Sequence, residues 1–423
     1  MRVGIVGAGI TGLALAHELA RREVEPVVLE SSGRPGGVIR SGRVEGRLLE
    51  WGPQRARRVA GFDALVEELG LSDRLVLAPP GLPLYVYGAG RLRRVPFSAG
   101  AFARADLLSL PARARMALEV FTRGPDPDES VAEFFIRKLG RQAYERLAGP
   151  LYGGLYASDP ADMVVGLSLG KVLREFGVRR SLLLALLARG GGIDPPAACS
   201  FDEGLQSLTD ALYAANRERV RLSTPVRAVR PGTASRWAIE TDGGTVEVDR
   251  VVVTCPARAA AEILIPAAPD AAGRIGRLRY NPLAVVHLHA ETDLVGLGYQ
   301  VSLGEDLATR GVTWNDSLFG REGVYTAYLG GAKRPEVVEE PDDRLGALAV
   351  AEFERVTGHG ARVLAIEREA MPAWDRSWVA LEGLETPPGI HLAAAWESRP
   401  GLPGRLAQAK RLAKSLAAEA GRP

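Results

Sequence analysis

Hydrophobic positions near the start of the chain fall into short apolar runs separated by a segment with a helical repeat. Residues 1–6 form one apolar run, residues 13–22 show the helical repeat, and residues 26–29 form a second apolar run. Short apolar runs next to glycine predict buried strands, whereas apolar residues three and four positions apart predict an amphipathic helix. The chain therefore begins with a strand–helix–strand unit of the α/β class.

The pattern changes twice further along the chain. Residues 97–189 have a mainly helical repeat, in which Ser130 and an acidic first turn mark one helix start. Alternating strands and helices precede and follow this block. Strands are predicted at 84–87, 220–222, 226–229, 236–240, 245–248, 250–253, 284–289, 325–329 and 390–393, and further helices at 62–71, 203–216, 344–356 and 402–420.

A chain that leaves a nucleotide-type fold twice and returns to it has discontinuous domains. We expect residues 1–80, 200–270 and 386–423 to form one nucleotide-binding domain. Residues 81–96 and 271–385 form a second domain, and residues 97–199 a helical one. Three consecutive independent domains are the alternative, although linker-like separators are missing.

Composition narrows the class of protein. The 423 residues are 46% hydrophobic and 25% charged, which is typical of a soluble globular protein of more than one domain. A net charge of +2 gives no electrostatic case for nucleic-acid binding. Two distant cysteines and five scattered histidines predict neither a disulfide framework nor a metal site. The longest apolar run, residues 182–188, is too short to span a bilayer, so we expect a cytoplasmic protein with at most a peripheral membrane contact.

The first loop carries the candidate chemistry. Gly7, Gly9 and Gly12 lie between the first strand and the first helix, and Glu30 ends the second strand. This is the dinucleotide fingerprint: the glycines allow a tight turn, close approach of a pyrophosphate and close helix packing, and the carboxylate accepts ribose hydroxyls. The predicted contacts are Gly7, Ala8, Gly9, Ile10, Thr11, Gly12 and Glu30.

A second glycine pair follows the acidic strand end. Arg34, Gly36 and Gly37, with Glu30 before them, resemble the FAD-binding start of the flavin amine oxidase superfamily. In that superfamily this loop lies against the pyrophosphate and ribityl chain. Gly52 stands where the family has a glycine beside the flavin. The resemblance implies FAD as cofactor, and adds as contacts Ser31, Arg34, Gly36, Gly37, Val38, Gly52, Pro53 and Gln54.

Later segments resemble the oxygen-dependent protoporphyrinogen/coproporphyrinogen oxidase family. The most specific is Gly149-Pro-Leu-Tyr-Gly-Gly-Leu-Tyr-Ala-Ser-Asp-Pro160, which amine oxidases and carotene desaturases lack. Colinear matches cover most of the chain, at residues 128–140, 200–205, 280–283, 314–319 and 329–331. The resemblance implies a Rossmann-like FAD domain of glutathione-reductase type, a mixed-sheet substrate domain and a helical insertion that touches membrane in relatives.

The implied activity is a six-electron oxidation of a porphyrinogen by oxygen, which releases hydrogen peroxide. Hydride goes to flavin N5, so the cofactor performs the difficult step and no side chain is assigned as catalytic. Arg93 matches a position that pairs with a substrate carboxylate, and Leu318 and Phe319 are candidate walls of an apolar cleft. Val226 matches a backbone contact to adenine. Trp396, Leu402 and Pro403 complete the predicted cofactor contacts.

The sequence departs from the family near its end. Ala394 stands where relatives have a strand-end glycine, and Gly404 where they have a helix-start aspartate. The extra Cβ of alanine and the lost carboxylate cap, which costs about 1 kcal/mol or less, predict a looser hold on the isoalloxazine ring. Residues 372–374 also replace a family Pro-Gln-Tyr segment.

Several alternatives stay open from the sequence. The substrate is protoporphyrinogen IX or coproporphyrinogen III, which differ in whether two peripheral groups are vinyls or propionates. A porphyrin-binding protein with weak or no turnover, or another amine oxidase or desaturase, is the functional alternative. The expected partners are a porphyrinogen and molecular oxygen, with contact to a membrane or a downstream haem-pathway enzyme also compatible. A monomer and a homodimer fit equally.

Overall fold

The structure is a computed structural model that describes residues 1–98, 100–101, 106–190, 196–234, 236–398 and 401–421. Residues 99, 102–105 and 191–195 of the predicted helical domain, and residues 235, 399–400 and 422–423, lie outside these ranges. The described strands are β1 Arg2–Val6, β2 Glu25–Leu29, β3 Ser41–Val44, β4 Arg47–Glu50, β5 Ala56–Arg57, β6 Leu75–Leu77, β7 Leu84–Gly88, β8 Arg91–Arg94, β9 Ala198–Phe201, β10 Val220–Arg221, β11 Val226–Pro231, β12 Trp237–Thr241, β13 Gly244–Val248, β14 Arg250–Val253, β15 Tyr280–His289, β16 Gly298–Val301, β17 Thr309–Trp314, β18 Val324–Gly330, β19 Arg362–Pro372 and β20 Ile390–Leu392.

The helices fall between and around these strands. The described α-helices are α1 Ile10–Ala20, α2 Ala60–Glu68, α3 Leu110–Ala117, α4 Val131–Leu139, α5 Arg141–Ala143, α6 Gly149–Gly154, α7 Gly170–Glu175, α8 Leu182–Ala188, α9 Gln206–Ala215, α10 Ala257–Leu264, α11 Pro269–Ile275, α12 Asn315–Phe319, α13 Asp342–Thr357 and α14 Leu402–Ala420. Shorter 3₁₀ turns occupy Ser72–Arg74, Leu118–Phe121, Arg217–Arg219, Pro335–Glu339 and Arg376–Leu381, and π-helical turns occupy Tyr144–Ala148 and Val165–Leu169.

A five-stranded parallel sheet holds the first strand of the chain. Its order is β10-β2-β1-β14-β20, so β1 lies between β2 and a strand made more than 240 residues later. Helices α1, α9 and α14 cover one face through a leucine-rich core, and the β11–β13 meander and α10 cover the other. A parallel sheet buried on both faces is the doubly wound arrangement. The predicted α/β class is confirmed.

The second large sheet is mixed. Its order is β19-β15-β18-β17-β16-β7-β8, and only β7 and β16 pair in parallel. Helix α13 packs on one face of this sheet, against side chains from several strands such as Val286, Tyr299 and Tyr325. The predicted mixed sheet is confirmed, and the boundaries between the domains stay a prediction.

The described part of residues 106–190 is mainly helical. A buried ion pair joins it: Lys138 on α4 lies 3.0 Å from Glu119, and both side chains have no exposed surface. The same carboxylate accepts hydrogen bonds from Ser181 Oγ and the Leu182 amide at the start of α8. One carboxylate thus connects three helical segments. In the described ranges no helix combines the length and apolar character needed to cross a bilayer, and the peripheral membrane contact stays a prediction.

Candidate functional site

The fingerprint glycines form the turn between β1 and α1. Gly7 has φ +105°, a left-handed conformation that favours glycine, and a Cβ on Gly12 would lie 2.0 Å from the Gly7 carbonyl oxygen. Only glycine at position 12 therefore allows α1 to pack this closely on the turn. A Cβ on Gly9 would meet no atom within 4 Å, although Gly9 directly precedes the helix. The N-terminus of α1 thus faces open space in which an anion can approach the backbone.

The second glycine pair packs directly on the first loop. The Gly36 amide donates to the Ala8 carbonyl at 2.8 Å, and a Cβ on Gly37 would lie 3.2 Å from Gly9 Cα. Arg34 holds this second loop, because its guanidinium donates to the Gly37 carbonyl at 2.8 Å. The sequence spacing alone did not indicate that the two loops touch.

Glu30 stands at the carboxyl end of β2, beside both loops. Its carboxylate accepts from the Ala8 amide at 2.7 Å and from the Ser32 amide at 2.9 Å, and Ser31 Oγ lies 3.3 Å away. A carboxylate has about four acceptor positions, so it can also accept ribose hydroxyls. The half-buried Val226 begins β11 close by, since the Thr224 amide donates to the Glu30 carbonyl at 2.7 Å.

The remaining predicted contacts of this region differ in exposure. Val38 is 65% exposed, whereas Ala8 has no exposed surface, and its amide and carbonyl are bonded to Glu30 and Gly36. Thr11 is buried and Ile10 half-buried. An open glycine edge, a free helix N-terminus and a carboxylate at the adjacent strand end fit the ADP half of a dinucleotide such as FAD.

Gly52, Pro53 and Gln54 connect this region to the mixed sheet. A Cβ on Gly52 would lie 1.9 Å from the Val38 carbonyl oxygen, so Gly52 packs against the glycine loop. The Gln54 amide oxygen accepts from Asn315 Nδ2 at 2.8 Å and from Thr326 Oγ1 at 3.1 Å. The Gln54 side chain is therefore committed to the contact between the sheets, and Pro53 is the exposed member of the three.

The altered C-terminal segment is buried differently from the expectation. The Ala394 side chain has no exposed surface and packs in the core with Trp396, which is 1% exposed. The Trp396 indole donates to the Cys255 carbonyl at 2.9 Å. The Ala394 side chain therefore packs into the core, and the looser hold on the isoalloxazine ring and the cofactor contact of Trp396 stay predictions.

Helix α14 is anchored without the carboxylate cap of the family. Its N-cap is Gly401, with φ +119°, and the buried guanidinium of Arg405 donates to the Ala394 carbonyl at 2.6 Å. The arginine thus ties the first turn to the end of β20, a connection that the sequence analysis missed. Leu402 is buried in the core and Pro403 is half-buried.

Leu318 and Phe319 lie apart from the apolar cluster described below. Leu318 has no exposed surface, as expected of a core residue, so it offers no wall to a ligand. Phe319 is half-buried, with the guanidinium carbon of Arg321 5.3 Å from its ring centroid. The cleft-wall role predicted for Leu318 requires exposed surface that this residue lacks.

Arg93 is on β8 at the edge of the mixed sheet, on the face opposite α13. Its Nη1 donates to the Gly88 carbonyl, its Nε lies 3.6 Å from Asp106, and 9% of the residue is exposed. Burial and the nearby Arg91 lower the pKa of Arg93 from its ordinary value. A substrate carboxylate has to replace Asp106 to reach this guanidinium.

The sheet face opposite α13 carries an apolar cluster that the sequence analysis missed. Leu283 and Val285 on β15 pack with Ala157, Met371 and Tyr328, and the last two are half-buried. Tyr328 hydrogen bonds to Thr313, and burial raises its pKa to about 12, so the phenol stays neutral. Strand β15 has apolar residues on both faces, whereas β19 places Glu367 and Glu369 beside Val285 and Leu283 and adds only Met371 to the cluster, so the alternation along β19 gave little signal.

The Gly149–Pro160 segment brings Ala157 to that cluster. A Cβ on Gly154 would lie 2.3 Å from the Gln300 amide oxygen on β16, so α6 packs on the sheet at glycine distance. Asn281 donates to Ser158 Oγ at 2.7 Å and fixes the following turn. The most specific motif of the sequence therefore forms part of the wall of the candidate substrate site.

A buried ion pair joins the end of β4 to the segment that precedes β18. Glu50 at the end of β4 is 2.8 Å from Arg321, and both side chains are at most 5% exposed. Burial raises the pKa of Glu50, while Arg321, Ser41 and the Leu205 amide oppose that shift. The pair links the N-terminal segment to the mixed sheet.

His287 is fully buried beside this pair, and we expect it to make stability depend on pH. Burial and the charge of Arg321 lower its pKa from 6.5 to about 4. The folded chain therefore stays unprotonated at His287 between these values while the unfolded chain takes up a proton. Stability is full above about pH 6.5 and falls toward pH 4, with a loss of about 2 kcal/mol between pH 7 and pH 5.

Urea denaturation of His287→Gln at pH 7 and pH 5 measures this contribution. The variant should lose less stability on acidification than the wild type, whatever its stability at pH 7. His359→Gln, which removes a histidine from the surface, serves as the control. An unchanged pH dependence in His287→Gln contradicts the prediction.

Comparisons with known proteins agree with this geometry. A family model described as flavin containing amine oxidoreductase matches residues 10–396. The chloroplastic protoporphyrinogen oxidase of Oryza sativa subsp. japonica is 30% identical over 385 residues, which cover 81% of this chain and 72% of the relative. The coproporphyrinogen III oxidase of Bacillus subtilis (strain 168) is 25% identical over 457 residues and covers 96% of each chain. The crystal structure of a candidate protoporphyrinogen oxidase from Exiguobacterium sp. 255-15 has the same fold, with a TM-score of 0.81, 24% identity and 99% coverage of both chains.

Proposed function

The chain belongs to the flavin-containing amine oxidoreductase family, and we propose that it oxidises protoporphyrinogen IX to protoporphyrin IX with molecular oxygen. FAD is its cofactor and, when bound, supplies hydride acceptance and oxygen reduction. The reaction removes six electrons and six protons from the porphyrinogen and transfers them to three oxygen molecules, which leave as three hydrogen peroxide molecules.

One observation carries this proposal. The apolar cluster of Leu283, Val285, Met371 and Tyr328 lies on the sheet face that the Gly52–Gln54 turn contacts. A flat apolar macrocycle is held by apolar contacts over a broad surface, and Tyr328 stays neutral there. The chain's own residues bind and orient the substrate and exclude water. Arg93 is our proposal for a contact at its rim, and Phe319 stays a candidate although it lies apart from the apolar cluster.

A fluorescence assay tests the proposal. The purified protein is loaded with FAD, and porphyrin fluorescence is followed in air after addition of protoporphyrinogen IX or coproporphyrinogen III, with hydrogen peroxide measured in parallel. We expect fluorescence well above the autoxidation blank and about three peroxides per porphyrin. A yellow protein that yields no more porphyrin than the blank would reject the oxidase and leave a porphyrin-binding role.

The same assay decides between the two substrates. Coproporphyrinogen III is the second candidate, supported by the 25% identical Bacillus subtilis relative that spans 96% of this chain. The substrate with the higher kcat/KM is the assigned one. Arg93→Ala should raise the KM for that substrate with little change in kcat, and an equal KM would remove Arg93 from the carboxylate site.

A further inference from the structure

Arg55 immediately follows the turn that joins the two sheets. Its neighbour Gln54 is fixed by Asn315 and Thr326. Thr326 and Tyr328 lie on the same face of β18, two residues or about 7 Å apart. Arg55 interacts electrostatically with Tyr328. The fixed backbone at Gln54 therefore directs this arginine toward the apolar cluster.

The guanidinium of Arg55 has no counter-ion. Its Nη1 is buried and has no hydrogen-bond partner, while the residue as a whole is half-buried, and no carboxylate of the described residues forms an ion pair with it. The charged side chain that acts on it is Arg57, which repels it, and burial lowers the pKa of Arg55 from its ordinary value.

Two carboxylates of this region, Glu50 and Glu369, interact with cations other than Arg55. Glu50 is paired with Arg321 at 2.8 Å. Glu369, on the same sheet face, interacts with Glu367, Arg40 and Arg34, and burial raises its pKa. Neither supplies the anion that Arg55 lacks.

An arginine in this setting needs an anion from outside the chain. Arginine does not lose its proton in proteins, so the buried part of this guanidinium keeps a charge whose desolvation is unfavourable unless an anion compensates it. Nothing within the described chain offsets that cost. The surrounding surface of Tyr328, Leu283, Val285 and Met371 belongs to the candidate substrate site. The missing anion is therefore sought on the substrate.

We propose that Arg55 binds a carboxylate of the substrate, an inference that rests on the proposed function. Arg93 lies on the same sheet face four strand positions from β18, or roughly 19 Å along the sheet. Gln300, on which α6 packs, lies between them, so the two arginines belong to separate parts of this face. Each presents planar donors that match a carboxylate.

Binding of the porphyrin product tests this assignment without turnover. FAD-loaded wild type, Arg55→Gln and Arg55→Lys are titrated with coproporphyrin III and with its tetramethyl ester, which has no carboxylate charge. Loss of a buried charged contact should weaken binding of the free acid by about 10- to 100-fold in Arg55→Gln, and less in Arg55→Lys. The ester should bind the wild type and Arg55→Gln equally.

Two further measurements separate binding from structure. Arg58→Gln removes a charge three residues away, from an exposed pair with Asp63 at 2.9 Å, and should bind the acid like the wild type. Without ligand, Arg55→Gln should melt at or above the wild-type temperature, because it removes an uncompensated buried charge. A melting temperature several degrees lower would assign Arg55 a structural role and overturn the proposal.

The remaining outcomes are equally decisive. Equal weakening of the acid and the ester, or weakening of neither, overturns the carboxylate assignment while the oxidase function stands. A shifted flavin spectrum with unchanged porphyrin binding places the guanidinium at the cofactor and also overturns it. If the wild type neither oxidises a porphyrinogen nor binds coproporphyrin III, the proposed function fails and the Arg55 assignment fails with it.

Discussion

Gly9→Val should yield a folded protein that has lost its flavin. A Cβ added at Gly9 meets no atom within 4 Å beyond its chain neighbours, and the backbone at φ −70° and ψ 177° accommodates any residue. The valine would therefore point into the space where we place the pyrophosphate. We expect FAD affinity to fall by at least about 100-fold, or nearly 3 kcal/mol. Absorbance of the purified protein near the flavin band and FAD titration of the apoprotein measure the loss.

The chain offers a matched control. A Cβ on Gly61 in α2 also meets nothing within 4 Å, so Gly61→Val makes the same chemical change away from the loop. It should retain FAD, and both variants should keep the wild-type circular dichroism spectrum. A yellow Gly9→Val protein of normal affinity would show that the cofactor does not approach this glycine.

Removing Arg321 should destabilise the fold more than any other substitution considered. Arg321→Met leaves Glu50 in a site that is about 1% exposed, without the cation that opposes its desolvation. Breaking one side of a buried pair costs about 3–5 kcal/mol. Urea denaturation of the holoprotein at pH 7 measures it.

The double variant identifies the cause. Glu50→Gln combined with Arg321→Met removes both charges and should recover most of the lost stability, because the uncompensated carboxylate is gone. Arg227→Met, which breaks an exposed pair with Asp242, should leave the unfolding midpoint unchanged. A double variant as unstable as Arg321→Met alone would show that packing around the guanidinium, and not its charge, accounts for the loss.

The N-terminal half of the cofactor site was predictable because its chemistry is local in sequence. Gly7, Gly9 and Gly12 act within one turn, and the apolar periods on either side identify the strand and the helix. The parallel sheet followed from the same patterns. The contact between Gly37 and Gly9 was not predictable, since spacing does not reveal that two loops pack together.

The substrate face was largely missed because it is assembled from distant segments. Strand β19 combines charged and apolar residues that belong to different faces, so its apolar period is weak and no strand was predicted there. The cluster of Ala157, Val285 and Met371 joins three segments more than 80 residues apart from one another. Leu318 and Phe319 were predicted as walls of an apolar cleft. In the structure Leu318 has no exposed surface, and the guanidinium of Arg321 lies over the ring of Phe319. The effect predicted for Ala394 came from its replacement of a family glycine, and the sequence could not show that its side chain packs into the core.

The strand order of the parallel sheet has a consequence for how the protein is made. Strand β1 leaves the ribosome long before its second neighbour β14, which begins at Arg250, and before the edge strand β20, which begins at Ile390. Because domains fold as their segments emerge during synthesis, the edge of β1 that pairs with β14 stays unpaired until more than 240 further residues have been made. Such long-range parallel pairing is slow and open to aggregation until it closes. The cofactor loop is therefore translated well before the sheet that supports it can close.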